Sequence, residues 1–209
     1  MQKKVLNHRK VKIAIEILLA IILVVVLGVK VYFDFFNEQD TQVVLEKKAI
    51  AKYGYKLEDR DTTLYEENYN ELEKVLSEEE IDYDAYAELI AKLFIIDYYT
   101  LNNKLTSTDI GGLEFIHPDL FENFKINAGD TVYKYVENNL YSDRTQELPT
   151  VTSVTIIEKR NEKYTYNNID YDSYVFDLSW EYDKDLEYQS NMTLTIIKVD
   201  NMLYVVKGQ

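Results

Sequence analysis

The sequence predicts an α+β fold: an N-terminal transmembrane helix, a helical stalk, then helices packed on a curved antiparallel sheet. Three observations predict it. Residues 13–33 read IAIEILLAIILVVVLGVKVYF, with no polar side chain from Ile17 to Val29. Residues 64–140 repeat apolar side chains at helical spacing, and from Pro149 onward the repeat changes to strict alternation. Helices first and a meander of strands afterwards is the order of an α+β domain.

The apolar run is long enough to cross a bilayer, since 21 helical residues rise roughly 31 Å. Lys3, Lys4, Arg9, Lys10 and Lys12 precede it, and no Lys or Arg occurs between Val31 and Glu46. Cationic flanks stay on the cytoplasmic side, so the expectation is a basic cytoplasmic tail (1–12), one span (13–33) and an extracytoplasmic C-terminal domain. Glu16 lies one turn from Lys12 and pairs with it near the inner headgroups. Lys30 snorkels outward beside Tyr32, Phe33, Phe35 and Phe36. The competing reading, a cleaved signal peptide, needs a small-residue site after the run, and residues 28–33 offer none.

Charge narrows the partners. The chain carries −14 overall, and residues 31–209 hold 17 Lys+Arg against 36 Asp+Glu, a net of −19. Such a surface repels nucleic acid and anionic headgroups. With no cysteine, disulfides, thiol nucleophiles and thiolate metal sites are excluded. The 19 tyrosines against 6 glycines and 2 prolines argue for a packed domain rather than a disordered one. The Asn, Lys, Ile and Tyr bias suits an AT-rich bacterial genome, hence a bacterial cell envelope.

Residues 34–63 are expected to be a stalk or linker, with a helix from a cap at Asp40 or Thr41 to a left-handed stop at Gly54. The domain itself is expected at 64–209. Its first helix places Leu64, Tyr65, Tyr69, Leu72 and Leu76 near one face. Ser77 with Glu80 matches a capping box for the next helix, with Asp82 and Asp84 as alternative caps. That helix carries the broad stripe Tyr86, Leu89, Ile90, Leu93, Phe94, Ile96 and Tyr98, which needs a sheet or several helices to cover it. Ile110-Gly111-Gly112 is a turn. Pro118 starts a short helical turn through Phe124, and Asp130 is expected to cap a helix over 131–141. Strands follow at 151–158, 174–182 and 192–197, then a tight turn at 199–202 into a last strand at 203–207.

The helix AELIAKLFIIDYYTLNNK with its IGG exit, followed by the strands YVFDLSWEYD, MTLTIIKVD and MLYVVKG, resembles the nuclear transport factor 2-like fold, in which helices lie in the concave face of a bent antiparallel sheet. With one span and a short cytoplasmic tail, the layout is also similar to the inner-membrane scaffold subunit of type IV secretion and conjugation machines. That resemblance implies a non-enzymatic assembly platform and carries over no site residues.

Chemistry is sparse. His8 and His117 are the two histidines, and neither has a nucleophile or ligand set beside it in sequence. Ile-Asp-Tyr-Asp-x-Tyr occurs at 81–86 and 169–174, but without a calcium-loop pattern it reads as capping. No catalytic residue, cofactor site or metal site is identified. Tyr174, Trp180 and Tyr182 are the candidate partner-binding residues, because strand aromatics anchor interfaces as well as half-buried sheets. The expected role is a single-pass signal-anchored protein that presents a binding or assembly domain. It contacts lipid through 13–33 and other envelope proteins or itself through the domain. The alternatives are an anchored small-ligand binder or sensor and, third, an enzyme using acids and tyrosines in a pocket.

Overall fold

The computed structural model describes residues 16–19, 21–27 and 41–209. The span expected at 13–33 falls partly outside these. Its described residues, 16–19 and 21–27, are helical, and among the described residues no helix is long and apolar enough to cross a membrane. They belong to a separate unit, Met1–Thr41, and the rest of this section concerns the unit Gln42–Gln209.

That unit is α+β, with helices packed against a four-stranded antiparallel sheet. A hairpin comes first, β1 (Glu46–Ile50) and β2 (Tyr55–Glu58). Then come α1 (Thr63–Ser77), α2 (Tyr83–Tyr99), two 3-10 turns (Leu113–Phe115 and Pro118–Leu120) and α3 (Phe121–Asp130). The meander β3 (Val151–Tyr166), β4 (Ile169–Tyr182), β5 (Asn191–Val199) and β6 (Met202–Gly208) pairs in sequence order.

The hairpin corrects the expected helical stalk. Within the segment expected to be helical, Glu46–Ile50 is extended and pairs antiparallel with Tyr55–Glu58; β2 puts Tyr55 and Leu57 on one face, and both are buried in the core. Gly54 does adopt the left-handed conformation (φ 76°), but in the turn, where the amides of Tyr53 and Gly54 both donate to the carbonyl of Ile50. Exposed β1 is held to α1 by ion pairs, Lys47–Glu66 at 3.5 Å and Lys48–Glu73.

Helix α1 buries Tyr65, Tyr69 and Leu72 and is capped by Thr62, whose hydroxyl accepts from the Tyr65 amide at 3.2 Å. Ser77 ends this helix instead of capping the next, its hydroxyl donating back to the carbonyl of Lys74. Asp82 caps α2, accepting from the amides of Asp84 (2.9 Å) and Ala85 (3.1 Å). We expect Asp82→Ala to cost about 1 kcal/mol in urea unfolding, the usual value of such a cap. Helix α2 is apolar nearly all round because α1 covers one side and the sheet another. Phe176, Leu178, Trp180, Leu194, Ile196, Leu203 and Val205 meet it from the sheet.

The helix expected at 131–141 is not formed. Helicity lies just before it, in α3, and Thr131 breaks the chain at φ −120°, ψ −97°. Tyr133 and Val136 nevertheless reach the core from irregular backbone. Strands β3 and β4 run well past the expected limits and join through Asn167 and Asn168, both left-handed, as a two-residue hairpin turn requires. Strand β3 has a neighbour on one side only, and its ladder with β4 is interrupted by two register shifts, near Thr152 and Ile157.

Candidate functional site

Two of the cavities in this unit lie where several of these elements meet. The first opens where α3 and the end of α2 stand over the sheet. Phe94, Tyr98 and Phe124 form its aromatic wall, their ring centroids 5.2–5.9 Å apart. Ile116, Leu120, Met192 and Val205 extend the apolar lining, and the space measures about 480 Å³, within the range of small-molecule pockets. Polar groups gather at its rim: Asn123 and Asn127 one turn apart on α3, Thr131 beyond the break, and Gln189 before β5. The Tyr99 hydroxyl donates to Gln189 Oε1 at 3.1 Å, which fixes that amide, and Gln189 Nε2 donates to the carbonyl of Asn191 at 2.7 Å. The sequence produces this opening because α3 is short and amphipathic, and Thr131 turns the chain away before the helix can close over the sheet.

The predicted partner-binding residues lie on the helix-facing side of β4. Trp180 is buried, its ring 4.4 Å from that of Tyr99. Tyr182 is partly buried and donates to the carbonyl of Gln189 at 2.6 Å. Tyr174 is partly buried, with the Lys159 ammonium 5.9 Å from its ring centroid. Trp180 and Tyr182 thus support the pocket's Tyr99–Gln189 wall from behind, and Tyr174 is not brought to it. Of the pocket-lining residues, Phe94 is expected from sequence as part of the apolar stripe of α2 and Phe124 as part of the helical turn after Pro118, both as packing residues, and Asn127 is not singled out by sequence.

The second cavity, about 260 Å³, is polar and lies between β2, α1, the end of α2 and the 110–114 turn. Glu58, Asp61, Asp97, Asp109 and Glu114 converge on it. Arg60 bridges Glu58 (2.8 Å) and Asp109. Burial opposes the charge of Asp109, but hydrogen bonds from Arg60 and from the Leu105 amide prevail and hold its carboxyl below the usual range. Lys104, 1% exposed, pairs with Asp97 at 2.5 Å, and the other Asp97 oxygen accepts from the Gly112 amide at 2.5 Å. Gly111 packs so tightly on the Asp97 carbonyl that a Cβ there would collide with backbone. Burial pushes Asp61 up to about 6, against the hydrogen bond from the Glu58 amide. Burial, with the nearby charge of Asp97, pushes Glu114 up to about 8. Among the described residues no group of three or more His, Cys, Asp or Glu is placed to hold a metal ion.

The repeated Ile-Asp-Tyr-Asp segment serves different ends in its two copies. Asp82 caps α2, whereas Asp170 and Asp172 sit in β4, bonded to Thr165 and Lys163. No family model matches this chain, and no curated protein or solved structure matches it.

Proposed function

We propose that residues 42–209 form a module that binds a small, largely apolar molecule with a polar end, displayed outside the membrane by an anchor at residues 13–33. The observation that carries this is the 480 Å³ opening, with its aromatic wall and its four rim amides and hydroxyls. An apolar cleft with a few placed polar groups is the usual form of a ligand site, and the role proposed is binding rather than catalysis. The uncharged run 17–27 behind a basic tail supports the anchor. In this reading the helices on a four-stranded sheet are a nuclear transport factor 2-like arrangement, and the cleft is its open mouth.

Trp180 is the only tryptophan, and it touches Tyr99 of the pocket wall, so its emission reports occupancy. Titration with the amphiphilic probe anilinonaphthalene sulfonate is expected to change Trp180 emission saturably. Val132 also lines the cleft, and Val132→Phe, which fills part of it, is expected to weaken that binding about tenfold, the scale of one displaced apolar contact. Unchanged affinity in the filled variant would sink the reading.

A second reading, an assembly platform similar to the secretion-machine scaffold subunit, is favoured by Ile126 and Tyr135, which stand 60% and 73% exposed. Crosslinking from these two positions in the native membrane distinguishes it: a discrete protein adduct supports the platform.

A further inference from the structure

Strand β6 is an outer strand of the sheet. The chain itself uses its free edge at one point: Ile116 bridges Val205 in parallel, and the His117 amide donates to the Val205 carbonyl at 3.1 Å. The pairing stops there. Pro118 has no amide to donate and starts a 3-10 turn that carries the chain away. Among the described residues, 206–208 have no strand on that side, and this stretch borders the apolar cleft.

The edge itself forms this part of the cleft wall. Val205, Val206, Lys207 and Gly208 all border the opening. Val205 and Gly208 pair with Ile196 and Leu194, which belong to the core on the helix-facing side, whereas Lys207 pairs with Thr195, whose side chain lies on the other face. Side chains alone do not bring all four to one cavity. The direction of the peptide groups follows from the last rung of the ladder. Gln209 and Thr193 exchange both bonds, the Gln209 amide donating at 3.0 Å and its carbonyl accepting at 2.8 Å. In an antiparallel ladder the adjacent residue turns its groups the opposite way, so the Gly208 N–H and C=O point off the sheet toward the free side. Gly208 carries no side chain, which lets another backbone come close. No Asp or Glu lines the cleft, although the domain is strongly acidic, so a cationic ligand gains no partner there.

We propose that the cleft takes a short, uncharged, extended peptide, which adds a strand to β6 at Val206–Gly208 and seats one apolar side chain against Phe94, Tyr98 and Phe124. This rests on the binding role proposed above and identifies the polar end of the ligand as a peptide unit. The Gly208 amide donates to a carbonyl of the peptide, and the Gly208 carbonyl accepts from one of its amides. In such strand addition the main-chain bonds supply affinity, and the aromatic cleft selects the side chain. A hydrocarbon chain with a terminal head group would fill the same space but use neither group of Gly208.

The test uses the full chain and three probes: anilinonaphthalene sulfonate, N-acetyl-leucyl-phenylalaninamide, and the ester analogue of that dipeptide in which oxygen replaces the N–H between its two residues. The dipeptide is expected to displace the sulfonate and to bind about tenfold more tightly than its ester, the scale of one hydrogen bond. Hydrogen exchange gives a second readout that needs no variant. The Gly208 amide is expected to gain at least about tenfold protection on saturation with the dipeptide, and none with the sulfonate. Sulfonate that binds but is not displaced by the dipeptide overturns strand addition and leaves the binding role standing. Equal binding of amide and ester does the same, as does a Gly208 amide left unprotected by bound dipeptide. Failure of all three probes to bind overturns both readings.

Discussion

Gly111→Ala is expected to destabilise the unit Gln42–Gln209 by about 3 kcal/mol or more, the upper range for forced overpacking. A Cβ at this position meets the carbonyl oxygen and carbon of Asp97 and one of its carboxylate oxygens. The first two belong to helix backbone and cannot swing aside. Relief requires the 110–114 turn to retreat from α2. That retreat breaks the Gly112 amide bond to Asp97 (2.5 Å) and the Gly111 amide bond to the Tyr133 hydroxyl (3.0 Å). Tyr133 is fully buried, and its hydroxyl also donates to the carbonyl of Tyr98 at 2.7 Å. One methyl group thus disturbs the junction of three segments. Urea unfolding measures the loss, and a cost below about 1 kcal/mol would show that the turn has slack. By contrast Gly54 has open space around its Cβ position, and its constraint is the left-handed φ alone.

Glu114→Gln is expected to stabilise the chain in alkaline medium and hardly at all in acid. The folded protein holds the Glu114 proton more tightly than the unfolded chain does, about 8 against 4.5. This group's contribution is therefore complete below about pH 4.5 and is lost as the pH rises through about 8. A neutral amide does not suffer that loss. The gain over the native chain at pH 9 is expected to be roughly 2–4 kcal/mol, allowing for water entering the cavity. In a domain of this size that is a rise in Tm of roughly 4–12 °C. At pH 5 the two proteins are expected to melt within about 1 kcal/mol of each other. A pH-independent difference would assign the effect to packing rather than to the proton. Asp61, raised to about 6, contributes with the same sign over a lower window.

The elements legible in the sequence were those with a sustained period. Helix α2 showed itself through a stripe from Tyr86 to Tyr98, and β4 through the alternation of Tyr174, Phe176, Leu178, Trp180 and Tyr182 with polar partners. The hairpin was misread because Lys47, Lys48 and Lys52 mask the short buried pair Tyr55 and Leu57, and because a left-handed glycine closes hairpins and helices alike. The segment after Asp130 was misread because Tyr133 and Val136 are core residues at helical spacing, but on irregular backbone. The polar cavity was hidden for a different reason. Asp61, Asp97, Asp109 and Glu114 come from four segments, and among 36 carboxylates no spacing singles them out. The available signal was context: Asp97 interrupts an apolar run between Ile96 and Tyr98, and Glu114 sits between Leu113 and Phe115. The apolar pocket had no such signal, because an opening is made by where α3 stops, and Thr131 does not announce a break.

The long border strand β3 sets a limit on self-assembly. A flat row of unsatisfied peptide groups sixteen residues long would template a second copy, and crowding would turn pairs into fibres. The two irregularities in its ladder bend that row, and Lys159, Arg160 and Lys163 place cations along its second half. A kinked, charged margin offers no straight run for another molecule to copy, so the same residues that complete the sheet also keep it from growing.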